Sequence, residues 1–235
     1  MRMLNSALLI TTGCACVLIS AGCASSPKND KAAASVRRAS TDLHLQSRAL
    51  NHTIHALTNL VDSSPRDLKQ PLEQYEYALE NLYDSVERTE NSVQRMRRHT
   101  TAYLDFWNQQ LTNINYEVVR SRSAEREEAV RSELEFVMER YVETREAMLP
   151  LLAYFEDIRK ALRTDLTAGG LASVRPIAAN AVSNARKLDT ALARMIRDFT
   201  GSAARMSSVI VPGVEPLTPT SDDAPTAQPA EAALR

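Results

Sequence analysis

The chain has 235 residues, with 28 Lys and Arg against 29 Asp and Glu and a formal net charge of −1. That balance supplies no bulk electrostatic drive towards nucleic acid. Six glycines and an aromatic share of 5% leave too little material for a strand-rich domain built on tight hairpins or for a glycine-rich phosphate loop.

Arg2 is the only charge in the first 22 residues, and the apolar run "ALLITTGCACVLI" follows it. That run is shorter than the roughly 20 residues a bilayer-spanning helix needs. A positive start, a short apolar centre and small residues at the end describe a secretory signal peptide, here residues 1–22. Ser20-Ala21-Gly22-Cys23 resembles the lipobox of bacterial lipoproteins, although Ser20 stands where that motif usually carries Leu. The resemblance implies that the Cys23 thiol takes a diacylglyceryl group and that cleavage leaves Cys23 as residue one. An ordinary cleaved signal and an uncleaved anchor are the competing readings. Cys14 and Cys16 lie in the removed segment, so the mature chain keeps one cysteine and forms no intrachain disulfide. Two or more acyl chains anchor a protein stably, whereas one alone is marginal. Ala24 and Ser25 lack the aspartate that often retains lipoproteins at the inner membrane. The expected location is therefore the outer membrane, lipid-anchored on its periplasmic face, with the inner membrane as the alternative.

Residues 23–30 read as lipidated cysteine and linker, and residues 31–210 as a helical rod. Lys28, Lys31, Arg37 and Arg38 are candidate headgroup contacts, each worth on the order of 1 kcal/mol beside an anionic surface. A merely solvated spacer is the plain alternative. The first helix, about 31–62, carries Val36, Ser40, Leu43, Ser47, Leu50, Ile54, Leu57 and Val61 in alternating steps of four and three. "SSPRD" interrupts, with Ser64 as cap and Pro65 as first helical residue of a second helix, 65–111. Its seam runs from Leu68 through Tyr75, Leu82 and Met96 to Trp107. Pro71 kinks that helix or delays its true beginning. Tyr77, Tyr83 and Phe106 flank the seam and are expected to widen the buried face.

"TNINYEVVRSRS" is poor helix material and predicts a break up to a third helix, 123–167, opened by acidic residues suited to a helix N-terminus. Val130, Leu134, Val137, Met148, Leu151, Phe155, Ile158 and Leu162 form its seam. Pro150 lies off that seam and should bend it, and Gly169-Gly170 should stop it. A fourth helix, 171–207, has an alanine-rich seam through Ala178, Ala181 and Ala185 that lets neighbours approach closely. An average repeat of 3.5 residues keeps each stripe facing a partner, and short connections favour antiparallel neighbours. The fold class is all-α: an elongated antiparallel four-helix bundle or coiled coil. A dimeric coiled coil from two chains competes with closure within one chain, so an oligomer is open. Residues 211–235 carry half of the ten prolines and cannot bury enough to offset ordering; they read as a disordered tail.

The stretches "AYLDFWNQQL" (102–111), "RYVETREAMLPLLAYFEDIRKAL" (140–162), "LASV" (171–174) and "DTALARMIRDF" (189–199) resemble the bacterial domain-of-unknown-function family 2959. The resemblance spans roughly Leu43 to Ser207. It implies a helical, exported lipoprotein and transfers no catalytic residue.

The residues themselves offer little chemistry. His52 and His55 share a helix face, but the Glu-x-x-His pairs of helical carboxylate metal sites are missing, so no metal and no cofactor are expected. No nucleophile elbow occurs, and Glu127-Glu128 diverge around a helix, so no catalytic residue is assigned and no enzyme is expected. "QRMRRHTT" concentrates Arg95, Arg97, Arg98 and His99. They either meet an acidic partner or pair with glutamates on a neighbouring helix, the latter being the favoured expectation. The functional expectation is a membrane-anchored envelope protein whose rod serves as a structural or protein-interaction module, with an unidentified envelope partner and no nucleic acid. The alternative is a periplasmic binding or chaperone-like protein holding an apolar ligand or an unfolded envelope protein in the bundle.

Overall fold

The computed structural model describes residues 27–64 and 67–207. Four α-helices account for almost all of them: α1 (Pro27–Asp62), α2 (Lys69–Leu111), α3 (Glu117–Thr164) and α4 (Ala168–Met206). With 36 to 48 residues each, they are about 54 to 72 Å long at 1.5 Å per residue. Helices consecutive in the chain pack on one another, and α1 closes the ring onto α4. The result is an up-down-up-down four-helix bundle in which α1 and α3 lie across one diagonal and α2 and α4 across the other. The α2–α3 seam is the thinnest of the four sides.

The heptad positions fill the interior. Leu43, Leu50, Leu57, Leu79, Leu82, Met96, Phe155, Leu162, Leu192 and Phe199 are all buried. At roughly 1.5–3 kcal/mol per large apolar side chain removed from water, this continuous stripe is what holds the helices together. Alanines supply the rest of the packing: Ala78 on α2, Ala32, Ala33 and Ala39 on α1, and Ala178, Ala181 and Ala185 on α4 are buried. At several places where the core turns polar, hydroxyls bond across it. Thr53 donates across the α1–α2 interface to the Ala78 carbonyl (3.1 Å), and Thr89 donates back to the Asp42 carbonyl (3.2 Å). The Tyr75 hydroxyl donates to the Phe155 carbonyl at 2.7 Å, and burial pushes its ionisation well above the ordinary tyrosine range.

Helix ends depart from the sequence expectations in instructive ways. Helix α1 already begins at Pro27, inside the expected linker, where a missing proline N–H leaves no helical bond unmade. Ser64 does not cap α2: its carbonyl accepts from Asp67 N in a turn (3.3 Å), and the helix starts at Lys69 after Leu68. Pro71 thus sits in the first turn, where proline is tolerated. Pro65 lies outside the described residues. The break after α2 spans only residues 112–116, and α3 starts at Glu117. Arg120 explains part of this, since it ties Glu117 within the first turn and the Ile114 carbonyl just before it (3.3 Å).

The diglycine does not stop α3, which ends at Thr164. Gly169 and Gly170 occupy the first turn of α4, capped by the Thr167 hydroxyl accepting from Gly170 N (3.2 Å). Pro150 and Pro176 both lie inside helices; the second had no counterpart in the sequence expectations. Of the flanking aromatics, Phe106 is half-buried and Tyr83 reaches the Leu152 carbonyl (3.3 Å), but Tyr77 is exposed and widens no buried face.

Candidate functional site

The two basic clusters picked out in sequence partly merge in space. Lys31, Ser35 and Arg38 repeat at i, i+4 and i+7 on α1; Ser92, Arg95 and His99 repeat at i, i+3 and i+7 on α2. These spacings put each set on one helix face. The antiparallel register then brings the faces together along a groove of about 380 Å³. No carboxylate lines it. Arg38 is shared with the buried Asp42 (Nε to Oδ2, 3.2 Å), while Lys31 and Arg95 form no ion pair among the described residues. Ser92 is 1% exposed and its hydroxyl has no partner, as is true of the second Asp42 carboxylate oxygen. A phosphate or carboxylate is the ligand chemistry that such a groove suits, because cations without local counter-charges raise the local concentration of anions.

The other members of the clusters go elsewhere. Lys28 lies over the Phe106 ring at 4.6 Å from its centroid, a cation–π contact. Arg37 and Arg98 are exposed outside the groove. Arg97 turns to the opposite side of α2 and lines a second groove, of about 420 Å³, with Leu104, Leu134 and Met138 as its apolar floor. The expected pairing of Arg95, Arg97 and Arg98 with neighbouring glutamates is corrected: among the described residues none of the three forms an ion pair. The carboxylates that do bridge helices are engaged by other arginines. Glu90 meets Arg145 (2.9 Å), Glu76 meets Arg163 (3.0 Å) and Glu133 meets Arg205 (2.9 Å). Arg163's hydrogen bond holds Glu76 below the ordinary carboxylate range. For Glu133, burial raises the carboxyl but the bonds from Arg205 and Ser202 outweigh it, and the net direction is down.

Sequence reasoning placed His99 in the basic cluster of α2 and missed Ser35 and Ser92 as groove residues. The available signal was their helical spacing beside the cations. Cys23 lies outside the described residues, as do residues 1–22 and the tail 211–235. Among the described residues no three His, Cys, Asp or Glu side chains converge as metal ligands, and His52 and His55 are exposed. No helix among them is long and apolar enough to cross a membrane.

A family model described as "Protein of unknown function (DUF2959)" matches residues 23–209. The chain belongs to this family. No curated protein and no solved structure is significantly similar to this DUF2959 chain. The match extends the resemblance seen in the helical seams to the whole of the bundle and begins at Cys23.

Proposed function

We propose that this DUF2959 protein is an envelope lipoprotein, held by acylated Cys23 on the periplasmic face of the outer membrane, whose rod works as a structural or protein-interaction module without catalysis. The observation that carries this reading is the filled bundle. The void among Leu43, Val86, Met148 and Leu192, where all four helices meet, is about 10 Å³, at or below the space one water needs. A closed rod acts through what its ends and sides present, and the α1–α2 groove presents cations to an acidic partner or to anionic headgroups. The start of the family match at Cys23 supports removal of the segment before it. The test is Cys23→Ala: it should retain full helicity by circular dichroism yet leave the membrane fraction after a salt wash. Sedimentation with membranes despite the substitution would refute lipid tethering. Pull-down of the intact lipoprotein from its own envelope then identifies the partner.

A second reading has one observation in its favour. The α2–α3 side is the thinnest and holds the 420 Å³ groove with its apolar floor, where an apolar ligand or an unfolded envelope protein would lodge. Binding of an apolar fluorescent dye that Leu134→Asp abolishes would support it; an unchanged signal would exclude this groove.

A further inference from the structure

We propose that the α2–α3 turn is a membrane-contacting foot, with Tyr116, Val118 and Val119 seated in the headgroup region of the bilayer that holds Cys23; the inference rests on the anchored reading above. Tyr116, Val118 and Val119 are 81%, 75% and 56% exposed. Single exposed apolar side chains are ordinary, but three within four residues make a patch that calls for a partner.

The bundle explains why none of the described residues covers them. Lys28 over Phe106 sets the start of α1 level with Phe106 of α2. From there α2 runs on to Leu111, about 7 Å further, before the turn. On the other side Arg126 donates to the Arg205 carbonyl (3.2 Å), setting the end of α4 level with Arg126. Back to Glu117, α3 continues for about 13 Å. The α2–α3 hairpin thus overhangs its neighbours by roughly 10 Å, and the exposed residues crown the overhang.

The tether matches that overhang. The four steps from Cys23 to Pro27 span at most about 14 Å when fully extended. An acyl group on Cys23 therefore has the reach to let the bilayer surface meet the turn without requiring the rod to lie flat. The chemistry fits as well. Residues 112–116, "TNINY", carry no charge, Glu117 is neutralised by Arg120, and tyrosine favours the boundary between headgroups and acyl chains. Lys28 and Lys31 stand set back from the foot, on the side where phosphates are met. Two attachments, the acylated cysteine and the foot, fix the rod upright, whereas a single flexible tether leaves it free to swing.

The test uses the full-length acylated protein in vesicles of phosphatidylethanolamine and phosphatidylglycerol. With the Cys23 sulfur acylated, Val118→Cys supplies one free thiol for a bimane label, and Ser64→Cys labels the far end as a control. The expected result is strong quenching at 118 by nitroxide-bearing lipids and shielding from aqueous iodide, several-fold different from the label at 64. Adding Tyr116→Ser and Val119→Ser should abolish the lipid quenching while the protein still floats with the vesicles. A label at 118 as open to iodide as that at 64, in protein that floats, would overturn the foot. Protection from iodide without lipid quenching would overturn it too, in favour of contact between copies. Failure to float would overturn the anchored reading and the foot with it.

Discussion

Gly169 and Gly170 are adjacent in the first turn of α4, yet alanine should act in opposite directions at the two. A Cβ on Gly169 meets only the Thr167 hydroxyl oxygen at 3.6 Å, an ordinary contact. Removing glycine's excess unfolded-state freedom there should stabilise the protein by up to about 1 kcal/mol. A Cβ on Gly170 collides with the Asp165 carbonyl and lies 2.8 Å from that residue's Cγ. The α3–α4 connection holds only residues 165–167, and Gly170 N also donates to the Thr167 cap, so the backbone cannot retreat without loosening the cap. Overpacking of this kind costs about 1–3 kcal/mol. In a chain of this size each kcal/mol moves Tm by about 2–4 °C. Urea and thermal unfolding followed at 222 nm should therefore show Gly169→Ala at or above the native protein and Gly170→Ala clearly below it. Equal stabilisation by both would mean that the tight connection imposes no constraint, and the collision argument would be wrong.

Tyr75→Phe removes the hydroxyl that reaches the Phe155 carbonyl while keeping the ring; unfolding in urea should show a loss of about 1 kcal/mol. Alkaline titration carries its own sign. Burial raises Tyr75, and it pushes Tyr141 up to about 12, so stability is fully present below the unfolded tyrosine value near 10 and falls as pH rises beyond it. Tm measured from pH 8 to 11.5 should drop in the native protein and drop less in a Tyr75→Phe, Tyr141→Phe double variant. For Glu133 the direction reverses. Its folded carboxyl titrates below the ordinary value of 4.5, so its contribution is present above that value and is lost as pH falls through the lower one. Glu133→Gln should be less stable than native at pH 7 and converge on it at acid pH; parallel curves would exclude the link.

The seams were legible because an apolar stripe is written redundantly over ten or more residues. Leu43, Leu50 and Leu57, or Leu79 and Leu82, each repeat the same instruction, so the fold class and which residues face inward follow from spacing alone. Helix ends are written once, in a few atoms. Ser64 looked like a cap and its side chain is not one; Thr167 caps α4 although the diglycine beside it suggested a stop. Val118 and Val119 disfavour helix locally, but the ties from Arg120 carry α3 back across them. The basic groove was half legible. Spacing puts Lys31 with Arg38 and Arg95 with His99, but a heptad pattern fixes the sliding register of two helices only to within seven residues. Which α1 cation faces which α2 cation depends on the polar contacts between the helices, and those appear only in three dimensions.

Those polar contacts carry a consequence for how the rod behaves under load. Thr53 and Asp42 stand eleven residues apart on α1, and their partners Ala78 and Thr89 stand eleven apart on α2. Eleven residues complete three helical turns almost without remainder, so both hydroxyls cross the same interface in the same phase, like two pins through parallel bars. Sliding α1 past α2 by one turn withdraws both pins together. Each hydroxyl keeps its bond to the carbonyl one turn back, Thr53 to Ala49 (3.0 Å) and Thr89 to Ser85 (2.9 Å). What is lost is the two bonds between helices, about 0.5–1.5 kcal/mol each, together with the apolar register. The helices therefore resist shear. A push or pull at one end arrives at the other as displacement or tilt of the whole body, and the molecule is mechanically a strut and not a piston.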